Sequence, residues 1–381
     1  HEVGHQLGAN HTFSMSNEGT GVNKEPGSGI TIMGYAGITS QDLAPHSIDI
    51  FHQASIAQIQ ANLNTKTCPV TLVAVNATPV VNAGPDYTIP ISTPFALNGS
   101  ATDADAGDVL TYTWEQNDNA GSTQTGASSV ASATKATGPN WITFKGNTNP
   151  TRLMPKLATI LAGANISGPL SGGDAGANTE ALSSVSRTLN FRLTVRDNAV
   201  YSSTAPVSVG QTQFDDMIVT VTNTSGPFAV TAPNTAVSWA GNSNQTVTWS
   251  VNNTTAAPVS CANVKISLST DGGNTFATLI ASTPNDGSEV IAVPNTASTT
   301  ARVKVEAVGN IFFDISNTNF TITAGSSCGT PGFLSSTAIT STSATVLWAT
   351  VAGATSYDVD YKLSTSGTWT NGLTGTTSTS I

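Results

Sequence analysis

The first eleven residues combine three histidines, a glutamate and a glycine at a spacing that suits a metal ion, H-E-x-x-H-x-x-G-x-x-H. On a helix, His1 and His5 lie one turn apart on the same face, so both imidazoles can reach one ion. Glu2 lies beside them, where a carboxylate can act on water without being a ligand. At about 100° per residue, His11 would face away on a continuous helix. We therefore expect Gly8 to end the helix in a left-handed conformation and return His11 to the metal.

A methionine lies in a glycine-containing turn further along, in the segment T-I-M-G-Y-A-G at residues 31–37. This order and spacing resemble the metzincin zinc endopeptidases, in which such a helix is followed by a methionine turn below the metal. Within that clan the segment is most similar to the reprolysins (adamalysin-like proteases), in their bacterial secreted, multidomain form. The resemblance implies zinc held by His1, His5 and His11, with Glu2 as general base and Met33 as turn methionine.

Tyr35 follows the turn methionine by two residues. In astacins and serralysins a tyrosine at this position reaches the metal or the transition-state oxyanion, and a phenol could donate a hydrogen bond there. Reprolysins do not generally use one, so a catalytic and a packing role for Tyr35 both stay open. The metal already has three ligands, so we expect His46 and His52 to be surface or loop residues.

Two features depart from the reprolysin pattern. Thr12 follows the third histidine, where many reprolysins carry an acidic residue. The motif also begins at residue 1, whereas the sheet and substrate-binding edge strand of a metzincin precede this helix. We therefore expect a fragment truncated at both ends, in which residues 1–68 are the C-terminal part of a catalytic domain.

The last helix of that part is expected to begin with a capping box, with Ser55 as N-cap and Gln58 at N3. Its apolar residues recur at helical spacing and should pack beneath the zinc helix. These residues are Ile56, Ile59 and Leu63.

Composition indicates an extracellular, β-rich chain. Charged residues make up 9% of the 381 residues, against about 25% in an average soluble protein. The net charge of −10, with no cluster of Lys or Arg, argues against nucleic acid and anionic membranes as partners. No apolar run approaches the ~18 residues of a membrane span. We expect a secreted protein, extracellular or at the cell surface.

Beyond residue 68 the hydrophobic period becomes alternating, which predicts β-strands. The expected fold class is mainly β: a C-terminal α-helical subdomain of a metzincin catalytic domain, followed by three β-sandwich (immunoglobulin-like) modules. Residues 69–225 resemble a PKD- or cadherin-like sandwich with a long insertion at about 119–186. Residues 226–325 resemble an immunoglobulin-like sandwich. Residues 326–381 resemble an incomplete fibronectin type III module.

Particular residues support these modules. Phe144 and the segment 153–161 are expected to anchor the insertion. Trp249 lies in the middle of a predicted strand, so we expect it in a core rather than on a binding surface. Trp348 and Tyr357 are the expected core aromatic residues of the last module.

One loop of the second module carries Asp103, Asp105 and Asp108 close to Gly107. Carboxylate oxygens at this density are the hard ligands that calcium prefers. The sequence therefore suggests a calcium site, with a solvent-exposed acidic turn as the alternative.

These observations support a secreted zinc endopeptidase that hydrolyses peptide bonds with a zinc-activated water and Glu2 as general base. Its partner would be a protein or peptide substrate, and the β-modules could contact extracellular matrix or polysaccharide. The alternative is an adhesive or structural β-module array with an inactive zinc-helix remnant.

Overall fold

The computed structural model describes residues 1–68, 73–325, 331–332, 334–351 and 353–381. The described chain is mainly β, with short helices in the N-terminal segment and in the insertion, as the sequence predicts. None of the described helices is long and apolar enough to cross a membrane. Cys328, at the start of the last expected module, lies outside the described residues.

The N-terminal segment contains α1 (Glu2–Gln6) and α2 (Gln53–Asn64), joined by loops. The expected N-cap of α2 at Ser55 is wrong. His52 is the N-cap, because its Nδ1 accepts the Ala54 N–H at 3.1 Å and starts the helix earlier. His52 is a loop residue as expected, although fully buried, and His46 is exposed as expected.

Two polar side chains of α2 contact the turn after α1. Gln58 Oε1 accepts the Asn10 N–H at 2.9 Å, and Asn62 Nδ2 donates to the Leu7 carbonyl at 2.7 Å. Leu63, by contrast, is 40% exposed. Leu63 therefore departs from the expected apolar stripe, and Gln58 and Asn62 bind backbone groups of the turn after α1, which need hydrogen-bond partners.

In its described residues, the second module contains ten strands, one α-helix and a short 3-10 helix at Gly126–Ser128. Strand β10 pairs in parallel with β2 and antiparallel with β9, which also pairs with β5. Further pairs are β1 with β4, β3 with β6, and β7 with β8. The elements are β1 (Val80–Asn82), β2 (Tyr87–Pro90), β3 (Phe95–Asn98), β4 (Ser100–Thr102), β5 (Thr111–Gln116), β6 (Thr151–Met154), α3 (Leu157–Leu161), β7 (Ile166–Ser167), β8 (Glu180–Ala181), β9 (Arg187–Arg196) and β10 (Thr212–Thr222).

The insertion packs against the N-terminal segment. The Leu170 N–H donates to the Leu43 carbonyl at 2.9 Å, and Asp174 exchanges hydrogen bonds with the backbone of Asp42. A buried cluster joins the two parts of the chain, consisting of Ile30, Leu43, Ala44, Val130, Ile142 and Ala177. Phe144 packs on this cluster as an expected anchor of the insertion. The N-terminal segment therefore shares a hydrophobic core with the second module.

The third module is a two-sheet sandwich. One sheet has the order β11-β13-β16, and the other β12-β19-β17-β14-β15, with β18 paired to β17. Its strands are β11 (Ala229–Ala232), β12 (Ser238–Ala240), β13 (Asn244–Ser250), β14 (Asn263–Ser269), β15 (Ala277–Pro284), β16 (Ser288–Ala292), β17 (Ser298–Ala307), β18 (Phe313–Ile315) and β19 (Phe320–Thr323). Trp249 is a core residue, 3% exposed, and its indole N–H donates to Asn285 at 2.8 Å.

The second and third modules are joined by backbone and core contacts. Phe95 forms a β-bridge with Phe312, and the Phe313 N–H donates to the Pro94 carbonyl at 2.9 Å. One buried cluster includes residues of both modules.

The last described segment consists of two antiparallel pairs. Its strands are β20 (Ser335–Thr337), β21 (Thr345–Leu347), β22 (Tyr357–Tyr361) and β23 (Thr370–Thr376). Trp348 is 8% exposed, and its ring lies 5.7 Å from that of Tyr357. Trp348 is therefore buried as expected, whereas Tyr357, which packs against it, is only half-buried.

Candidate metal centre

The turn after α1 is built around Gly8. The Ala9 N–H donates to the Gly4 carbonyl and the Gly8 N–H to the His5 carbonyl, both at 2.9 Å. This is the Schellman arrangement, which requires a left-handed residue directly after the C-cap. Gly8 has φ +99°, so it takes that conformation without the steric cost of a side chain. The turn brings His11 back to the face of α1 that carries His1 and His5.

Each of the three histidines uses its Nδ1 to contact an oxygen. His1 Nδ1 lies 2.7 Å from the Ile32 carbonyl, and His5 Nδ1 lies 2.9 Å from the Ala9 carbonyl. His11 Nδ1 lies 2.8 Å from a carboxylate oxygen of Glu18. Because an oxygen acceptor requires a proton on Nδ1, each neutral ring has its lone pair on Nε2.

The three rings place ligand atoms within 4.8 Å of one another. The Nε2 atoms of His5 and His11 are 3.0 Å apart, and the buried Nε2 of His1 has no hydrogen-bond partner. Nitrogen ligands of one tetrahedral zinc ion lie about 3.4 Å apart, given Zn–N bonds of about 2.05 Å. Converging lone pairs repel unless a cation lies between them. The donor set therefore fits a three-histidine zinc site.

Glu2 and Met33 differ in their exposure to solvent. Glu2 is exposed and lines, together with His1 and Tyr35, a cleft of about 670 Å³. Its carboxylate is not part of the group formed by the three histidines. Met33 is fully buried and contacts α1 at Gly4.

Tyr35 packs directly against the histidines. Its ring centre lies 4.3 Å from that of His11 and 5.2 Å from that of His1, and it stacks on Phe13 at 4.7 Å. Burial, followed by the negative charges of Glu18 and Glu2, raises the pKa of the Tyr35 phenol. The phenol therefore keeps its proton at neutral pH and remains a hydrogen-bond donor beside the cleft.

The acidic loop of the second module assembles differently from the prediction. Carboxylate oxygens of Asp103, Asp108 and the fully buried Asp197 lie within 4.8 Å of one another. Asp105 is not in this group, because its Oδ2 accepts the Ala77 N–H at 2.6 Å. Asp197 directly follows β9, and the end of this strand lies beside the acidic loop, so the Asp197 carboxylate lies close to those of Asp103 and Asp108.

Sequence reasoning missed Glu18 and Asp197. Glu18 lies in a polar loop, and no spacing rule connects it to His11. Asp197 directly follows β9, and no local sequence pattern connects it to the acidic loop at 103–108. Both are brought to their sites by chain folding.

Comparisons with known proteins bear mainly on the first residues. Residues 1–63 match the family described as metallo-peptidase family M12B, reprolysin-like. No match is found among curated proteins. Solved structures similar to the chain include the chicken CNTN1 FN1–FN3 domains, with 10% identity, 79% of this chain and 88% of that chain covered, and a TM-score of 0.21.

Two further structures have comparable scores. The fibronectin(III)-like modules of Clostridium thermocellum CbhA are 11% identical, with coverage of 65% and 94% and a TM-score of 0.20. The Bacteroides ovatus protein SGBP-B, solved with a mixed-linkage heptasaccharide, is 10% identical, with coverage of 80% and 60% and a TM-score of 0.18. Residues 1–63 are thus similar in sequence to reprolysin-like metallopeptidases, and the match covers none of the β-modules.

Proposed function

We propose that the N-terminal segment carries the zinc-binding part of a secreted endopeptidase. The observation that supports this most strongly is the arrangement of His1, His5 and His11. All three rings are oriented through Nδ1 by oxygen atoms, and all three leave Nε2 for a common ion. Oriented imidazoles of this kind are typical of zinc ligands.

Zinc held there would act as a Lewis acid on water and on the scissile carbonyl. Glu2, at the cleft, would accept a proton from the attacking water and deliver it to the leaving amine. Tyr35 would donate a hydrogen bond to the oxyanion, or else support the histidine rings by packing. The cleft that contains Glu2 would receive the peptide, and the β-modules would hold the enzyme near polymeric substrate.

Zinc stoichiometry of the purified chain tests this proposal, with His5→Ala as the matched variant. We expect about one zinc per chain in the wild type and none in the variant. A peptidase assay on an unfolded protein such as casein follows, with and without a chelator. The absence of zinc from the wild-type chain after incubation with excess metal would contradict the proposed function.

A second candidate function is an adhesive or structural β-module array with an inactive zinc-helix remnant. The observation that favours it is the exposure of two aromatic residues, Tyr361 at 61% and Trp369 at 60%. Exposed aromatic rings can stack on sugars or bind at protein surfaces. Two results together would favour this function. The wild-type chain would take up no zinc, and it would be retained on insoluble polysaccharide, whereas the Trp369→Ala variant would not be retained.

A further inference from the structure

Thr12 connects the third histidine to a buried carboxylate. It occupies the position at which many reprolysins carry an acidic residue, and its side chain is fully buried. Its hydroxyl donates to Glu25 Oε2 at 2.5 Å. Glu25, which has no exposed surface, therefore places a carboxylate beside the residue that follows His11.

Hydrogen bonds satisfy the buried carboxylate of Glu25. Its Oε2 also accepts the Thr31 hydroxyl, and its Oε1 accepts the N–H groups of Ile30 at 2.9 Å and Thr31 at 3.1 Å. Among the ion pairs of the described residues, none includes Glu25. A buried carboxylate without a cation requires such donors, since burial alone strongly disfavours its charge.

The four donors belong to two segments that the metal centre requires. Thr12 directly follows His11, and Thr31 precedes the turn methionine Met33 by two residues. The backbone connects the same segments, because the Thr12 N–H donates to the Met33 carbonyl at 3.1 Å. The Glu25 N–H also donates to the Thr12 carbonyl at 2.9 Å.

Gly29 leaves room for the carboxylate. A Cβ at this position would lie 3.0 Å from Cδ and from Oε2 of Glu25, and Gly29 has φ +62°. The loop that approaches Glu25 therefore requires glycine for both space and conformation. The carboxylate fits closely into this part of the chain.

We propose that Glu25 is a positioning residue, which holds His11 in register with the methionine turn and so sets the geometry of the three-histidine site. This inference rests on the proposed zinc-binding function. His1 and His5 share a helix, so local geometry fixes their separation. His11 lies beyond a turn, and its position depends on how the following residue is anchored.

The experiment uses the full 381-residue chain and compares Thr12→Val with Thr12→Ser. Valine preserves the shape of threonine and removes the hydrogen bond to Glu25, whereas serine keeps the hydroxyl. Zinc affinity is measured by competition with a chromogenic chelator, at a temperature where circular dichroism shows every variant folded. We expect about tenfold weaker zinc binding in Thr12→Val, as for other groups that orient metal ligands, and near wild-type binding in Thr12→Ser.

A second variant and a second measurement cover the remaining outcomes. Glu25→Gln retains the size of the side chain but turns one acceptor into a donor, so zinc affinity should fall here too, even if Thr12→Val does not fold. Hydrogen exchange of residues 11–13 and 31–33 in the zinc-free chain should be faster in Thr12→Val than in Thr12→Ser.

Two results would overturn the inference. The first is zinc affinity within twofold of wild type in folded Thr12→Val and Glu25→Gln, which would confine Glu25 to a role in stability. The second applies if the wild-type chain itself takes up no zinc. The proposed function then fails, and hydrogen exchange alone tests whether Glu25 holds residues 11–13 against residues 31–33. Equal exchange in the valine and serine variants is then the contradicting result.

Discussion

Gly4 of α1 packs directly on Met33. A Cβ added to Gly4 would lie 2.4 Å from Met33 Sδ, well inside van der Waals contact. Both residues are buried, so neither can move into solvent. The absence of a side chain at Gly4 therefore allows the helix that carries His1 and His5 to rest on the methionine turn.

Gly4→Ala should destabilise the N-terminal segment even though alanine favours helix. Overpacking a buried contact costs about 1–3 kcal/mol, whereas the gain in helix propensity is at most about 1 kcal/mol. Native-state hydrogen exchange of peptides from residues 1–40 measures the local free energy of opening. Val3→Ala, at a position 64% exposed on the same helix, is the control and should have little effect.

The contact also predicts coupling between the two residues. Met33→Ala removes the sulfur atom, so Gly4→Ala should cost less in that background than in the wild type. Equal costs in both backgrounds would mean that Met33 does not limit the space at Gly4.

Glu2→Gln should abolish peptide hydrolysis and leave zinc bound. Loss of a general base typically costs a factor of about 10²–10⁴ in rate, and Glu2 lies outside the group of ligand atoms. Zinc content and hydrolysis of casein are measured on the same preparation, with His5→Ala as the variant that loses both. Loss of zinc from Glu2→Gln would assign Glu2 a ligand role instead.

Glu18→Ala should weaken zinc binding through His11. The Glu18 carboxylate accepts the Nδ1 proton of His11 at 2.8 Å, which orients the ring and raises the basicity of its Nε2. Loss of a residue that hydrogen-bonds a metal ligand typically lowers metal affinity about 10–100-fold. We expect an approximately tenfold lower affinity for zinc here, because the Glu18 side chain is 36% exposed. Ser16→Ala, in the same loop, is the control. Unchanged affinity in the Glu18 variant would show that Gly8 and the following turn orient His11 without it.

Two aspartates of the third module should affect the pH dependence of stability in opposite directions. Burial raises the pKa of Asp314 to about 7, despite a hydrogen bond from the Val230 N–H. The folded state thus favours the protonated form, and this contribution is present below about pH 3.8 and lost as the pH rises through 7. Asp314→Asn, which keeps an acceptor oxygen, should raise the Tm at pH 8 and leave it nearly unchanged at pH 4.

Asp271 provides the opposite case. Hydrogen bonds from Ser269 and Thr275 hold the pKa of its carboxyl well below the usual range. Its contribution is therefore present above about pH 3.8 and lost as the pH falls further. Asp271→Asn should lower the Tm at pH 7 and lose this effect in strong acid. A pH-independent difference in Tm for either variant would contradict the assigned cause.

The calcium hypothesis for the second module stays a prediction and has a direct test. Burial, followed by the charges of Asp197, Asp105 and Asp103, raises the pKa of Asp108, as expected for carboxylates that repel one another. Calcium should therefore raise the Tm of the chain, and Asp108→Asn should remove the rise. Asp105→Asn should keep it, because Asp105 lies outside the group. Loss of the rise in both variants would support the original set of three loop aspartates.

The features that could be predicted from the sequence alone are those that depend on local chain geometry. The separation of His1 and His5 follows from one helical turn, and the return of His11 follows from a left-handed glycine at residue 8. The alternating pattern also placed Trp249 in a core, since side chains of a strand point to opposite faces in turn. These features depend on residues close together in the chain.

Tertiary structure decided the partners of these residues. Glu18 lies near His11 because of the loop between them, and Asp197 replaces Asp105 because the end of β9 meets the acidic loop. His52 is a buried helix cap because the second module covers it. Glu115 on β5 lies near the His52 ring and accepts the N–H of Gln53. Such contacts depend on which distant segments share a core, and no periodicity in the sequence records that choice.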